Sequence, residues 1–240
     1  MPLQEEGLLM ILVIALYLYD SMMLLYCNEG ILIPAGTGWK VRFGFREPRI
    51  RGKELFIPAP YLLHRPMFRL AWRFEGQSAQ AGMEDWQAMR KVPLAMGSLV
   101  WSMAIALFVM LPLGFFTRLG QEMLLAAVVL LYVSIVSTLV YMGLHLKELN
   151  LSKKQVARLA FEYLTCPPFA LNVVRTLSSS QKFGEDLVTA AHRLQDPDRW
   201  AATRQQLTLR LDEEIELEEE DSDRMAGLRE HRLKLAESET

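Results

Sequence analysis

The sequence lacks the residue patterns on which most enzymes and metal proteins depend. Its 240 residues contain two cysteines, Cys27 and Cys166, and neither stands in a CxxC or Cys/His spacing suited to zinc. No dinucleotide fingerprint, phosphate-binding loop, HExxH or nucleophile-elbow motif is present. We therefore predict no catalytic residue, no metal site and no cofactor.

Charge is scarce in three long apolar windows, of which only the first contains a charged residue, Asp20, although 22% of all residues are charged. Each window is long enough to cross a hydrocarbon layer of about 30 Å as a helix. The sequence predicts three transmembrane helices: the first in Gly7–Cys27, the second in Leu94–Phe116 and the third in Met123–Leu144. A cleaved signal peptide is a poorer reading of the first window, because "MPLQEE" is acidic and no small-residue cleavage site follows.

Lys and Arg are also scarce on one predicted side of the membrane. The N-terminal tail has none and the hairpin between the second and third windows has only Arg118, whereas residues 28–93 have eleven and the tail after Leu144 has fourteen. Positive charge is retained in the cytoplasm. We expect an integral membrane protein, of a bacterial inner membrane, with its N-terminus outside and its C-terminus in the cytoplasm. Both cysteines then face a reducing compartment, where a disulfide is not expected.

The loop 28–93 carries period-two patterns typical of strands. "WKVRFGFRE" and "FRLAWRF" alternate apolar with basic or small residues, which predicts an antiparallel unit of two or three strands with one aromatic and one basic face. A sheet this small needs a cover on its apolar face, from its own tail, a partner or lipid. The basic face predicts contact with anionic lipid head groups through Lys40, Arg42, Arg69 and Arg73, although the same charges could serve only to set topology. Nucleic acid is not an expected partner, because the aromatic and basic residues alternate onto opposite faces.

Residues 145–211 predict a helical cytoplasmic region. Ser152 and Gln155 form a capping-box pattern, a short apolar helix follows the prolines after Cys166, and "EDLVTAAHRL" predicts another helix. Asp196 and Pro197 mark the start of one more.

The segment 212–240 begins with an acidic block, "DEEIELEEEDSD", which predicts a partly disordered tail. It is either a solubilising tail or a surface that docks on basic residues of its own loop or of another subunit. We expect its centre to bind a partner through Glu218, Glu219, Glu220 and Asp221.

One carboxylate, Asp20, falls inside the first apolar window, where an ionisable side chain is costly. Polar residues of the other two windows reach the same predicted depth, and Ser and Thr allow helices to approach closely. We predict an intramembrane polar cluster in the cytoplasmic half, formed by Asp20, Tyr17, Tyr19, Ser98, Ser102, Thr138, Tyr141 and His145. Such a cluster could fix helix packing, contact a partner helix or titrate.

The fold class expected is therefore a mainly α membrane protein with a small antiparallel β unit in its first cytoplasmic loop and a helical C-terminal region. The function that fits best is a non-catalytic scaffold, assembly factor or accessory subunit that recruits cytoplasmic partners, with lipids and a protein partner or a second copy as its contacts. The alternatives are a subunit of a transporter or ion-coupled complex in which Asp20 titrates, and a lipid-handling membrane enzyme.

Overall fold

The computed structural model describes residues 2–36, 38–72, 91, 94–117, 120–181, 185–217, 227–230 and 232–233. The chain divides into two compact units, each built from three stretches of sequence. The helical unit comprises Met1–Met23, Leu55–Phe68 and Gly82–Lys182. The mixed unit comprises Leu24–Glu54, Arg69–Ala81 and Phe183–Thr240.

Three long helices form the apolar part of the helical unit: α1 (Pro2–Ser21), α2 (Gly97–Phe116) and α3 (Gly120–Leu144). Helix α2 contains a π-helical stretch at Ala106–Met110. Helices α2 and α3 form an antiparallel hairpin, and both are long and apolar enough to cross a membrane. The two predicted windows in this hairpin are thus confirmed as helices, with ends moved by three residues at Gly97 and at Gly120.

The first window differs from its prediction. Helix α1 ends at Ser21, and the next residues form a strand, β1 (Met23–Leu25). Residues 22–27 therefore do not continue the helix to Cys27, and the helical apolar stretch from Gly7 is about 22 Å long at 1.5 Å per residue. The sequence "MMLLYC" is apolar enough for a helix or a strand, and its pairing with β5 makes it a strand.

Three shorter helices complete the helical unit. Helix α4 (Lys153–Thr165) begins at the predicted capping box, in which the Ser152 hydroxyl accepts from the Gln155 N–H at 3.2 Å and the Gln155 side chain accepts from the Ser152 N–H at 2.8 Å. After Cys166 the structure has two short helices where one was predicted, α5 (Pro167–Ala170) and α6 (Val173–Ser179). The core of the unit joins all these elements to Leu63 of the segment after Phe56.

Strands dominate the first half of the mixed unit. The described residues contain β1, β2 (Glu29–Ala35), β3 (Gly38–Arg42), β4 (Phe45–Ile50), β5 (Lys53–Phe56) and β6 (Phe68–Ala71). They form two three-stranded sheets, ordered β1-β5-β4 and β3-β2-β6, rather than one sheet of two or three strands. Strands β2 and β3 pair antiparallel with Leu32 opposite Val41. The turn between β4 and β5 has φ of 52° at Arg51 and 74° at Gly52, the combination that a two-residue type I′ hairpin requires.

Two helices follow in the mixed unit, α7 (Leu187–Leu194) and α8 (Pro197–Leu217). The start of α8 confirms the predicted cap, since the Asp196 carboxylate accepts from the Arg199 N–H at 2.9 Å. At the start of α7 the Asp186 carboxylate accepts from the Val188 N–H at 2.9 Å, a cap that was not predicted. Helix α7 packs on β2 and β3, and α8 packs on α7. The apolar side of this sheet is therefore covered by the chain's own C-terminal region, one of the three covers considered from the sequence.

The acidic block also differs from a disordered tail at its start. Its first residues, through Leu217, belong to α8. The remainder of the block, with the predicted partner-binding residues Glu218, Glu219, Glu220 and Asp221, lies outside the described residues.

Candidate functional site

A buried arginine organises the polar part of the helical unit. Arg175 lies on α6 and is 1% exposed. Its guanidinium donates to the Ala59 carbonyl at 2.7 Å, to the Asn172 side-chain oxygen at 3.0 Å and to the Tyr17 hydroxyl at 3.2 Å. The Tyr17 hydroxyl in turn donates to the Pro60 carbonyl at 2.5 Å. We name this network, together with Asp20, the Arg175 cluster.

Asp20 joins the cluster through Asn172. The Asn172 side-chain N–H₂ donates to the Asp20 carboxylate at 2.9 Å and to the Tyr17 carbonyl at 3.3 Å. Because α1 ends at Ser21, Asp20 occupies the last helical turn, where the negative end of the helix dipole disfavours a carboxylate. The amide and the nearby guanidinium offset that cost.

Burial controls the electrostatics around the cluster. Desolvation lowers the pKa of Arg175, while the neighbouring Tyr17 and Asp20 act in the opposite direction. Desolvation also raises the pKa of Tyr163 and the pKa of the Cys166 thiol, and the negative charge of Asp20 adds to both shifts.

The hydrogen bonds of the Arg175 cluster connect segments that are distant in the sequence. Arg175 and Asn172 connect α1 with the Ala59–Pro60 backbone. Ala59 is 116 residues from Arg175 in the sequence, and Pro60 is 43 residues from Tyr17. A second tie lies close by, where the Ser178 hydroxyl accepts from the Met67 N–H at 2.7 Å and donates to the Val174 carbonyl at 2.8 Å. These bonds satisfy buried backbone groups that would otherwise have no partner.

The hydroxyls predicted to surround Asp20 bond elsewhere. Ser102 donates to the Ser98 carbonyl at 3.0 Å and Thr138 to the Ser134 carbonyl at 2.8 Å, each within its own helix. His145 stacks on Tyr141 and bonds the Tyr141 carbonyl at 3.0 Å. Tyr19 is exposed.

Of the predicted cluster, then, the hydrogen bonds of the described residues bring together Tyr17 and Asp20. The predicted depth of Asp20 was counted on a helix that continues to Cys27, whereas α1 ends at Ser21. The missed partners carried a signal in "LNVVRTL", where Asn172 and Arg175 stand three residues apart on one face of an otherwise apolar segment.

The predicted basic face is present in the mixed unit. Lys40 and Arg42 are exposed on the same side of β3, and within the described residues neither has an ion pair or a side-chain hydrogen bond. Arg69, by contrast, is paired with Glu29. Arg73 lies outside the described part of the chain.

A groove of about 430 Å³ runs beside these residues. Its wall includes Arg210 of α8, which donates to both carboxylate oxygens of Glu54 at 2.7 Å and to the Gly44 carbonyl at 2.8 Å. The guanidinium also lies 4.5 Å from the Phe43 ring centre. Because Arg210 is paired with Glu54 and Arg46 with Glu213, the unpaired positive charge that lines the groove comes from Lys40 and Arg42.

The acidic end of α8 docks on basic residues of the same unit. Glu213 pairs with Arg46, and Glu214 pairs with Arg49 at 3.0 Å. The acidic block was expected to dock either on the chain's own basic loop or on another subunit. Its first residues dock on the chain's own loop. The side chains of Arg46 and Glu213 are about two-fifths exposed, and such surface pairs contribute little stability.

Comparison of the chain with protein families, with curated proteins and with solved structures gives no match. Among the residues that the structure describes, no group of three or more His, Cys, Asp or Glu side chains is placed to hold a metal ion.

Proposed function

We propose that this chain is a non-catalytic membrane scaffold, assembly factor or accessory subunit, anchored by three helices with its N-terminus outside. The observation that carries this proposal is the exposure of large apolar side chains along α1, α2 and α3. Only 33% of the residues in the most apolar window of α2 and 28% in that of α3 are buried. Exposed residues include Ile11, Leu125 and Val133, at 65%, 67% and 58%. A continuous surface of this kind is stable in lipid and aggregates in water.

The Arg175 cluster supports a structural role for Asp20. Most of its polar groups bond one another or backbone carbonyls, whereas the buried Nε of Arg175 has no partner among the described residues. These bonds connect segments that are far apart in the sequence. A group used in this way holds α1 in place. The scaffold proposal accordingly expects Asp20→Asn, which keeps the hydrogen bond from Asn172, to be tolerated.

In this proposal the mixed unit contacts lipid head groups and binds the cytoplasmic partner. Lys40 and Arg42 are available to anionic lipid head groups, each worth about 1 kcal/mol near a charged surface. The acidic segment at Glu218–Asp221 is proposed to bind a cytoplasmic protein partner or a second copy of the chain. Because Glu213 and Glu214 already pair within the unit, the residues beyond Leu217 are the better candidates.

The runner-up proposal is a subunit of a transporter or ion-coupled complex. The observation that favours it is the joint presence of a carboxylate and a buried cation, Asp20 and Arg175, at the end of a membrane helix. It predicts the opposite result for Asp20→Asn, namely loss of activity. A lipid-handling enzyme remains a third proposal and would depend on polar residues of the basic loop such as Arg49, Arg51 or His64.

The test is a pull-down from native membranes in mild detergent with three chains. The first is the full chain, the second ends after Leu217 so that α8 stays complete, and the third carries Glu218→Gln, Glu219→Gln, Glu220→Gln and Asp221→Asn. Exposed Glu148→Gln serves as the matched control for loss of acidic charge elsewhere. A stoichiometric partner that is lost from the second and third chains, and kept by the control, is the expected result. Recovery of the full chain alone would contradict the scaffold proposal.

A further inference from the structure

A second, smaller pocket of about 250 Å³ lies in the mixed unit between β3 and the first half of α8. Its polar lining comes from Lys40 on the strand, from Gln195 at the end of α7, and from Asp198, Arg199, Thr203 and Gln206 on α8. All these residues belong to one compact unit, so the pocket does not depend on the membrane helices.

Gln195 is the unexplained residue of this pocket. It is 9% exposed, and within the described part of the chain neither its side-chain oxygen nor its side-chain nitrogen has a hydrogen-bond partner. Its backbone N–H is satisfied by the Ala191 carbonyl, so only the side-chain amide is left over. An amide buried without partners is destabilising, and native proteins rarely keep one unless a water or a ligand completes it.

The pocket continues into the cationic groove. Lys40, Val41 and Gln206 line both cavities. The amide of Gln195 therefore lines the pocket, Lys40 lies where the pocket and the groove meet, and Arg42 lines the groove. Of the cations that line this cleft, Lys40 and Arg42 have no anionic partner within the described residues, whereas Arg46, Arg199 and Arg210 are paired. Phe43 and Phe45 line the groove beside them. The two cavities together fall within the volume range of small-molecule sites, roughly 300 to 1,000 Å³.

We propose that this cleft binds a nucleotide. A side-chain amide presents one donor and one acceptor side by side, which is the pattern that pairs with the edge of adenine. The phosphate then lies against Lys40 and Arg42, as cationic side chains pair with phosphate. The Asp198 carboxylate lines the same pocket and is an acceptor for a ribose hydroxyl. A nucleotide satisfies both ends of the cleft at once, whereas a simple phosphate satisfies only the cationic end.

The experiment measures binding by calorimetry on the full chain purified in detergent, with four probes. AMP carries base, ribose and phosphate, adenosine has the base and ribose without the phosphate, inorganic phosphate has the anion alone, and glycerol 3-phosphate represents a lipid head group. We expect AMP to bind at least about tenfold more tightly than each of the others, since loss of either end removes hydrogen bonds to desolvated groups.

Three variants locate the binding. Gln195→Leu is expected to weaken AMP about tenfold and to leave phosphate unchanged, because only the base loses its partner. Exposed Lys40→Gln is expected to weaken AMP and phosphate alike. Gln205 is an exposed residue of α8 outside the pocket lining, so Gln205→Leu is the matched control and should bind AMP as the unaltered chain does.

Several results would overturn the proposal. They are absence of AMP binding at millimolar concentration, equal affinity for glycerol 3-phosphate and AMP, and unchanged AMP affinity in Gln195→Leu with a raised melting temperature. The last would identify the amide as a buried defect of the fold. If Gln195→Leu does not fold, Lys40→Gln still decides, because an exposed strand residue can be changed without loss of structure and an unchanged AMP affinity there would contradict the site.

Discussion

Arg175→Met is the perturbation that tests the Arg175 cluster most directly. Methionine approximates the length of the arginine side chain and fills the buried space, but it donates no hydrogen bond. The change removes the three bonds to the Ala59 carbonyl, the Asn172 side chain and the Tyr17 hydroxyl. What remains is a set of buried acceptors without donors.

The expected magnitude follows from opposing contributions. Three bonds from a charged donor are worth about 4 to 9 kcal/mol together, at about 1.5 to 3 kcal/mol each. Removal of the buried charge relieves a desolvation penalty of several kcal/mol. We expect the free energy of unfolding to fall by about 2 to 4 kcal/mol. For a chain of this size the melting temperature then falls by about 4 to 16 °C.

The assay is thermal unfolding in detergent, followed by circular dichroism. Arg158→Met is the matched control, because Arg158 is 80% exposed and pairs only with Glu162 on its own helix, so about 0.5 kcal/mol or less is expected. Tyr17→Phe and the double variant complete a cycle in which the Arg175–Tyr17 coupling should be at least about 0.5 kcal/mol. If Arg175→Met melted within the error of Arg158→Met, the cluster would not be holding the fold and the reasoning would be refuted.

Three further predictions concern other parts of the chain. Gly114→Ala should lower the melting temperature, because a Cβ there would lie 2.7 Å from the Leu124 side chain and 3.1 Å from its backbone nitrogen, whereas Gly143→Ala, with nothing within 4 Å, should be neutral or stabilising by up to about 1 kcal/mol. Arg210→Met should destabilise the mixed unit by about 3 to 5 kcal/mol in chemical denaturation, since it leaves the Glu54 carboxylate buried without its cation; a loss equal to that of exposed Glu213→Gln would contradict this. Burial, with the charge of Arg65, lowers the pKa of His64, which accepts from the Trp101 indole at 3.2 Å. As the pH falls, the unfolded chain therefore takes up a proton on His64 before the folded chain does. The contribution of neutral His64 to the free energy of unfolding is complete above about pH 6.5 and is lost as the pH falls below it. Protonation of His64 should also change the fluorescence of Trp101, and this change should be absent from Trp101→Phe.

Local signals were enough to predict many of the elements. The capping box at Ser152 and Gln155 and the start of α8 at Asp196 and Pro197 were read correctly, because a cap joins residues two or three positions apart. The alternation in β3 was also correct, with Trp39 and Val41 buried between exposed Lys40 and Arg42. The helical hairpin followed from the length and apolarity of its two windows.

Other features could not be predicted from the sequence, because they depend on contacts between residues that are distant in the chain. The end of α1 at Ser21 depends on a strand partner for Met23–Leu25 in β5, which lies about thirty residues further on. The number of strands was underestimated because β4 is exposed throughout and has no buried side chain to create an alternating pattern. The partner of Asp20 was sought on the neighbouring helices, yet Asn172 is 152 residues away in a segment that reads as apolar.

The sequence by itself determined the apolar helices, several helix caps and the presence of a basic loop and an acidic block. These properties depend on hydropathy and on hydrogen bonds between near neighbours, both of which are written in short stretches of residues. Only the tertiary structure decided which polar groups meet. It joined Arg175 to Tyr17 and the Ala59 carbonyl, placed Glu213 on Arg46, and left the Gln195 amide without a partner among the described residues. Such pairings are selected by the packing of whole elements, because each requires two segments distant in the chain to bring complementary groups within about 3 Å.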